Sequence, residues 1–486
     1  MSDDVQTRFL APRLVLRLEA QDCVALVAAS IAFCVAAFAP QVLNDGDTFF
    51  HIAAGARMLA DHALLYRDPF SYTFAGTAWE AHEWLAEVAM ALSYQAGGWS
   101  LLLVLFAFAA ATTAGLLAHH LGRWLEWRAQ ILVTILALSC MTPSLLARPH
   151  LLALPLLEMW TAGLVIARSE RRAPSFWLLP VMALWVNIHA SFLLGLALAV
   201  GLAVEAVASE ENRGAALRHW GLFTAGAVAT ALLNPHGLAG IAFPLHMTAA
   251  ASLAHVSEWQ ATDFSQLRPF ELVLLALIYL FATRGVKISP WRALIVLGLL
   301  HLALLHQRHQ MVFALAAPLL LAEPISLSLR NAFAPTTDET HNLATICSFA
   351  AVLILIAAAW MRLAIPTLRV DSPVAPITAL QHVPPELRTK PVLNDYSFGG
   401  YLIFSGVRPF VDSRVELYGD ALLERYAKII EPDPAVISSA VAAYDIRWSI
   451  FDPHSPVVGV LDRLPHWRRL YADRFAVIHI RDKRHS

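Results

Sequence analysis

Apolar runs of spanning length follow one another along most of the chain, separated by short polar turns, and one long polar stretch interrupts them early. The runs are Cys23–Val42, Trp99–Leu121, Ala129–Leu145, Leu151–Ala167, Phe176–His189, Ser191–Ala208, Trp220–Leu233, Phe270–Ala282, Trp291–His306, Gln310–Ala322 and Leu343–Ile365. They predict about eleven membrane-spanning helices, several of them short or closely coupled. The first run is long for a signal peptide and lacks a small-residue cleavage site, so it reads as an uncleaved anchor. Between the first two runs, residues 43–98 form a large loop. Its Asn44–Glu87 portion carries Asp45, Asp47, His51, Asp61, His62, Asp68, Glu80, His82, Glu83 and Glu87. Asp47 or Thr48 is placed to cap a helix reaching Leu59, on which Asp47 and His51 share a face. Glu80–Tyr94 reads as a second helix, with Arg67–Gly76 as the turning connection.

After Ile365 the pattern changes. Residues 366–486, about 120, contain no run long enough to span and form a unit large enough to fold alone. Strand-like pieces (Pro391–Leu393, Pro409–Val411, Trp448–Phe451, Phe475–Ile480) alternate with helical ones (Leu422–Ile430, Pro434–Tyr444), which predicts a small α/β domain. Arg469–Arg481 reads as a terminal hairpin. The chain therefore divides into a membrane domain, 1–365, and an α/β domain, 366–486. Asn394, Asp395, Tyr396 and the run Asp412–Glu416 follow strand-like pieces, and in a parallel sheet such positions line the edge where ligands bind. Asp412 and Arg414 are equally placed to pair with each other. Gly399-Gly400 permits a close backbone approach.

Composition agrees with the pattern: 58% of residues are hydrophobic and only 15% charged, with a mean hydropathy of +0.56. A net charge of −2 gives no reason to expect a nucleic-acid partner. Cys23, Cys34, Cys140 and Cys347 all lie in or beside apolar runs and read as core packing. Charge asymmetry sets an orientation. With a cytoplasmic N-terminus, the cytoplasmic segments hold Arg8, Arg13, Arg17, Arg123, Arg128, Arg168, Arg171, Arg172, Arg213, Arg218, Arg284, Lys287, Arg292 and Arg330. The other face, before the C-terminal domain, holds only Arg57, Arg67, Arg148, Arg268, Arg308 and Arg362, as the positive-inside rule requires. On that outer face fall the first loop, Arg148-Pro149-His150, Asn187-Ile188-His189, Asn234-Pro235-His236 and His306-Gln307-Arg308-His309, together with everything after Ile365. Polar groups gathered at one end of an apolar bundle predict a shared cavity. Gly237–Pro269 has a weak amphipathic pattern that suits an interfacial helix beside it.

Asp45, Asp47, His51, Ile52 and Gly55 match a pattern DxDxxxHIxxG, Asp68–Thr73 read DPFSYT, and Trp79 with His82–Leu85 match WxxHEWL. Asn394–Ile403 and Val411–Arg414 add NDYxxGGYLI-like and VDSR runs. On these the chain resembles a group of bacterial membrane proteins within the GT-C superfamily of glycosyltransferases. These take sugars from polyprenyl-phosphate carriers and include protein mannosyltransferases and oligosaccharyltransferases. The resemblance implies an inverting transferase in the bacterial inner membrane, with a periplasmic C-terminal domain. Its implied partners are a polyprenyl-phosphate-linked sugar, a lipid, glycan or protein acceptor, and membrane lipids. Asp47 or Asp45 would be the catalytic carboxylate. His51, Glu80, His82, Glu83, Arg148, His150, His189, Asn234, His236, His306, Arg308 and His309 would line the substrate site, joined by Asn394, Asp395, Tyr396, Asp412 and Arg414. Arg148 and Arg308 suit the carrier phosphate, because guanidinium groups bind its oxygens in pairs. A divalent metal is not favoured: metal-dependent oligosaccharyltransferases carry a second acidic motif in the next outer loop, where this chain has Arg148-Pro149-His150. A transporter or flippase of a lipid-linked polar molecule, and a non-catalytic assembly factor on the same frame, are the alternatives.

Overall fold

The computed structural model describes residues 20–248, 257–329 and 338–482. Arg8, Arg13, Arg17 and Arg330 lie outside the described residues, as does part of the interfacial helix expected within Gly237–Pro269.

Each of the eleven apolar runs lies on a helix. In chain order the helices are α1 (Ala20–Phe38), α2 (Gly46–Asp61), α3 (Trp84–Gly122), α4 (Trp127–Met141), α5 (Pro149–Ser169), α6 (Leu179–Ile188), α7 (Phe192–Ser209) and α8 (Arg213–Ala231). There follow α9 (Leu238–Thr248), α10 (Pro269–Arg284), α11 (Pro290–Leu305), α12 (His309–Leu329) and α13 (Asp338–Ala364). Among the described residues six of these, α1, α3, α5, α7, α12 and α13, are long and apolar enough to cross a membrane. The bundle core is mainly apolar, with Phe33, Phe106, Trp160, Trp185 and Phe313 buried in it, though Gln130, Glu158 and the Glu205–Arg292 ion pair are buried there as well.

Two boundaries depart from the sequence pattern. The helix expected over Glu80–Tyr94 starts at Trp84, and it continues into the next run across Gly97 and Gly98. Gly98 has a φ of 59° and breaks the axis there, so α3 is a short limb beside the first loop and a long one through the bundle. The cap of α2 is Asp45, whose carboxylate accepts the Asp47 amide, and neither Asp47 nor Thr48 fills that position.

The C-terminal part comprises α14 (Ile377–Gln381), α15 (Pro385–Arg388), β1 (Val392–Asn394), α16 (Gly399–Phe404), α17 (Val415–Ile430), α18 (Pro434–Ala443), β2 (Trp448–Phe451), α19 (Pro456–Leu461), β3 (Trp467–Ala472) and β4 (Val477–Arg481). The sheet order is β1-β2-β4-β3. Only β1 and β2 run parallel; β4 pairs antiparallel with both neighbours, and β3–β4 is the expected hairpin. Pro409–Val411 is no strand. Its backbone groups are satisfied instead by the Asn394 side chain, which accepts from Phe410 N at 2.7 Å and donates to the Val411 carbonyl at 2.9 Å.

This unit is packed onto the first loop. Phe50, Met58 and Trp79 share one core with Leu393, Phe410, Leu417 and Tyr418. The DPFSYT segment is fastened to it by main-chain contacts: Tyr72 OH donates to the Val392 carbonyl and Thr73 Oγ1 to that of Phe410, at 2.9 and 2.7 Å. Arg414 is buried at the seam. It donates to Asp68 at 2.7 Å and to both oxygens of Asp412, and it lies 4.9 Å from the Trp79 ring centre.

Candidate functional site

The N-terminus of α2 is pressed against α16. A Cβ on Gly400 would stand 2.1 Å from the Gly46 carbonyl oxygen, and one on Gly46 would stand 2.8 Å from that of Ser397. Two glycines therefore let the backbones touch, and the contact brings the C-terminal unit over Asp47. The charges of Asp47 and Glu416 both act on Tyr396.

Arg148, the residue before Pro149 at the start of α5, has extended backbone and aims its guanidinium at the same point. It binds Asp45 through Nη2 at 2.9 Å and also through Nε. Its Nη1 lies 3.1 Å from Asp47 Oδ2 and 3.2 Å from Glu258 Oε1. Glu258 in turn lies 3.8 Å from Arg308 Nη1, and Arg308 stacks on Trp259 at 4.6 Å. Burial pushes the Asp47 carboxyl above the usual carboxylate range, against the opposing pull of Arg148. Burial alone would raise Glu258 too, but Arg148 and Arg308 outweigh it and hold that carboxyl low.

One turn along α2, His51 opens a layer of imidazoles and carboxylates. Its Nδ1 is 3.0 Å from Glu87 Oε1 and its Nε2 is 3.8 Å from Glu83 Oε2. Glu83 also approaches His189 at 3.5 Å and His82 at 3.8 Å. Burial pushes Glu83 up to about 7, with His51 opposing and Glu87 adding to the shift. Burial lowers His82 to about 3 and pulls His189 well down, so both rings are neutral. His51 behaves oppositely: burial is outweighed by its hydrogen bond to Glu87 and by the charges of Glu87, Glu83 and Asp47, which raise it.

Most of the expected residues meet here. Asp45, Asp47, Arg148 and Arg308 meet around Glu258. His51, His82 and His189 meet around Glu83 one turn along α2. The charge of Asp47 acts on His51, and His150 reaches His189 by ring contact at 6.3 Å. Glu80 pairs with His236 at 3.1 Å on the flank, and His82 stacks on Phe243. His306 and His309 pack around Trp259, with the His306 ring N–H donating to the Trp259 carbonyl at 2.6 Å. Others are absorbed by the fold. Asn234 caps its own turn by accepting from the His236 amide. Asn394, Asp412 and Arg414 are buried in the seam rather than along an open sheet edge. Asp395 accepts from Ser397 and caps the turn that leads into α16. Of the expected C-terminal residues, Tyr396 faces the site. The pattern missed Glu258, Trp259 and the partnership of Glu87 with His51, whereas Ser413 and Glu416 lie within the expected run Asp412–Glu416. An acid beside a tryptophan in an otherwise apolar loop was the one signal available for Glu258-Trp259.

No group of three or more His, Cys, Asp or Glu side chains is arranged to hold a metal ion among the described residues. Asp45 and Asp47 already face a guanidinium, so this donor set does not fit a divalent cation.

No family model matches the chain, and no curated protein matches it. Solved structures do. The apo oligosaccharyltransferase of Archaeoglobus fulgidus superposes with a TM-score of 0.53 at 11% identity, covering 89% of this chain and 69% of that one. The same enzyme tethered to an acceptor peptide containing an NVT sequon gives 0.54 at 10% identity with the same coverage. ArnT of Cupriavidus metallidurans bound to undecaprenyl phosphate gives 0.51 at 11%, covering 94% of this chain and 97% of that one. The chain shares its fold with these solved structures, and six of its described helices are long and apolar enough to cross a membrane.

Proposed function

We propose that this GT-C protein transfers a sugar from a polyprenyl-phosphate-linked donor to an acceptor hydroxyl, on the periplasmic face of the inner membrane. The observation that carries the reading is the contact of Asp47 with Arg148 beneath the C-terminal unit, at the loop end of an apolar bundle. Transfer of this kind needs a base for the acceptor and a cation for the departing phosphate, held side by side. In the step, the acceptor oxygen bonds to the anomeric carbon as the bond from that carbon to the carrier phosphate breaks. The electron pair of the broken bond leaves on the phosphate oxygen, and the acceptor proton passes to Asp47. Neutralising Asp47 removes one carboxylate charge facing Arg148 Nη1, so the guanidinium holds the phosphate more strongly as charge develops on it.

Burial supports the assignment of Asp47, since a carboxyl raised toward neutrality is a better base than an exposed one. The similarity of the fold to an oligosaccharyltransferase and to a protein that binds undecaprenyl phosphate supports the donor class. Surface glycans of a strain lacking the gene, compared with wild type by mass spectrometry, test the reading. One glycan is expected to lose a sugar and to regain it with the wild-type gene but not with Asp47→Asn. Unchanged glycans in the deletion strain would count against transfer.

A further inference from the structure

Glu258 reaches the two guanidinium groups that a carrier phosphate would need. Its Oε1 lies 3.2 Å from Arg148 Nη1 and 3.8 Å from Arg308 Nη1, so one oxygen bridges both. The bridge is anchored: the Arg308 amide donates to the Glu258 carbonyl at 3.1 Å, and the Gln307 amide to that of Gln260 at 3.0 Å. Arg148 and Arg308 together thus face Asp45, Asp47 and Glu258, which leaves no positive charge over for a phosphate. One carboxylate has to give way. Asp45 is buried and caps α2, so it is held in place. Asp47 is needed at the acceptor. The Glu258 side chain is 35% exposed, against 3% for Asp45 and 19% for Asp47, and has solvent to swing into.

We propose that Glu258 occupies the seat of the donor phosphate, and that carrier binding and release are an exchange of carboxylate for phosphate on Arg148 and Arg308. The inference rests on the phosphate-linked donor proposed above. Carboxylate and phosphate offer a guanidinium fork the same kind of paired oxygen acceptors, so one can replace the other without rebuilding the site. The sugar-linked carrier is a phosphodiester with one negative charge, whereas the spent carrier is a monoester with about −1.5 to −2 near neutral pH. Two arginines alone would hold the spent carrier more tightly than the donor. Returning Glu258 opposes that and favours turnover.

Full-length protein in lipid nanodiscs, titrated to equilibrium with radiolabelled undecaprenyl phosphate, tests the exchange. Glu258→Gln and Glu258→Ser both remove the competing charge and should bind about tenfold more tightly than wild type, the scale of one lost charge-assisted contact. Glu258→Asp keeps the charge and should bind within about twofold of wild type. Equal or weaker binding by Gln and Ser variants that melt at the wild-type temperature would overturn the exchange while leaving the donor class intact. Failure of the wild type and all three variants to bind undecaprenyl phosphate would instead remove the donor class, and the exchange with it.

Discussion

Asp45 accepts the Asp47 amide and two Arg148 nitrogens while almost wholly buried, so removing its charge takes away a helix cap and part of a buried ion pair. Asp47, two residues on, pairs with one Arg148 nitrogen, and burial already disfavours its charge. The two asparagine variants should therefore separate. Asp45→Asn is expected to cost about 2–4 kcal/mol, read as a lower melting temperature in detergent. Asp47→Asn is expected to abolish transfer with a stability change under about 1 kcal/mol. The reverse pattern would exchange their roles. Glu83 adds a pH signature. If it acts ionised, activity falls as pH drops through about 7, and that acid limb should vanish from the pH–rate profile of Glu83→Gln. Stability has the opposite slope. A carboxyl raised in the folded state binds more protons folded than unfolded, so its term weakens as pH rises from the ordinary value of 4.5 to about 7. His82, lowered from 6.5 to about 3, gives a term that weakens as pH falls from 6.5 to about 3. The two terms oppose each other where they overlap, between 4.5 and 6.5, so the melting temperature there should be flatter with pH than the activity.

At the scale of elements, the meeting of α2 with α16 decides where Asp47 stands, and it depends on backbone contact. Gly400→Ala would drive a methyl group into the Gly46 carbonyl, which cannot yield without moving the start of α2. Strain of about 1–3 kcal/mol is expected, with transfer lost out of proportion to stability. Gly406→Ala is a poor control because its φ of 76° is strained for alanine, whereas Gly459→Ala meets open space and should behave as wild type. The helices themselves were legible because runs of apolar residues report burial directly, and each expected run lies on one. The Gly399-Gly400 pair was legible as a close approach, but its partner was not, since Gly46 is more than 350 residues away. The expected strand at Pro409–Val411 failed for a related reason. Its apolar residues are buried as a strand's would be, but its backbone bonds to an asparagine side chain and to the first loop. Likewise, the short apolar periodicity of the C-terminal part could not reveal that most of its sheet is antiparallel.

For the molecule as a whole, the first loop and the C-terminal unit act as one body above the bundle, because Phe50 and Trp79 share a core with Phe410 and Tyr418. The division at Ile365 legible in the sequence marks where spanning runs stop. It does not mark a packing boundary, since the Asp68–Arg414–Asp412 seam joins residues from both sides of it. Such seams are invisible to periodicity: an aspartate in a loop and an arginine after an apolar piece look like surface charges until the fold buries them. The side of the membrane on which this body lies is a prediction that α5 makes. Arg148 stands at its start and Ser169 at its end, 21 helical residues apart. That length is about 30 Å, the thickness of the hydrocarbon layer, so the two ends lie on opposite sides. Basic residues cluster about the Ser169 end, at Arg168, Arg171 and Arg172, and the positive-inside rule predicts that this end is cytoplasmic. Alkaline phosphatase, active only after export, should therefore be inactive when fused at Ser169 and active when fused after Ser486. Activity at Ser169 with none at Ser486 would put Asp47, Arg148 and the C-terminal unit in the cytoplasm, away from an exported lipid-linked donor.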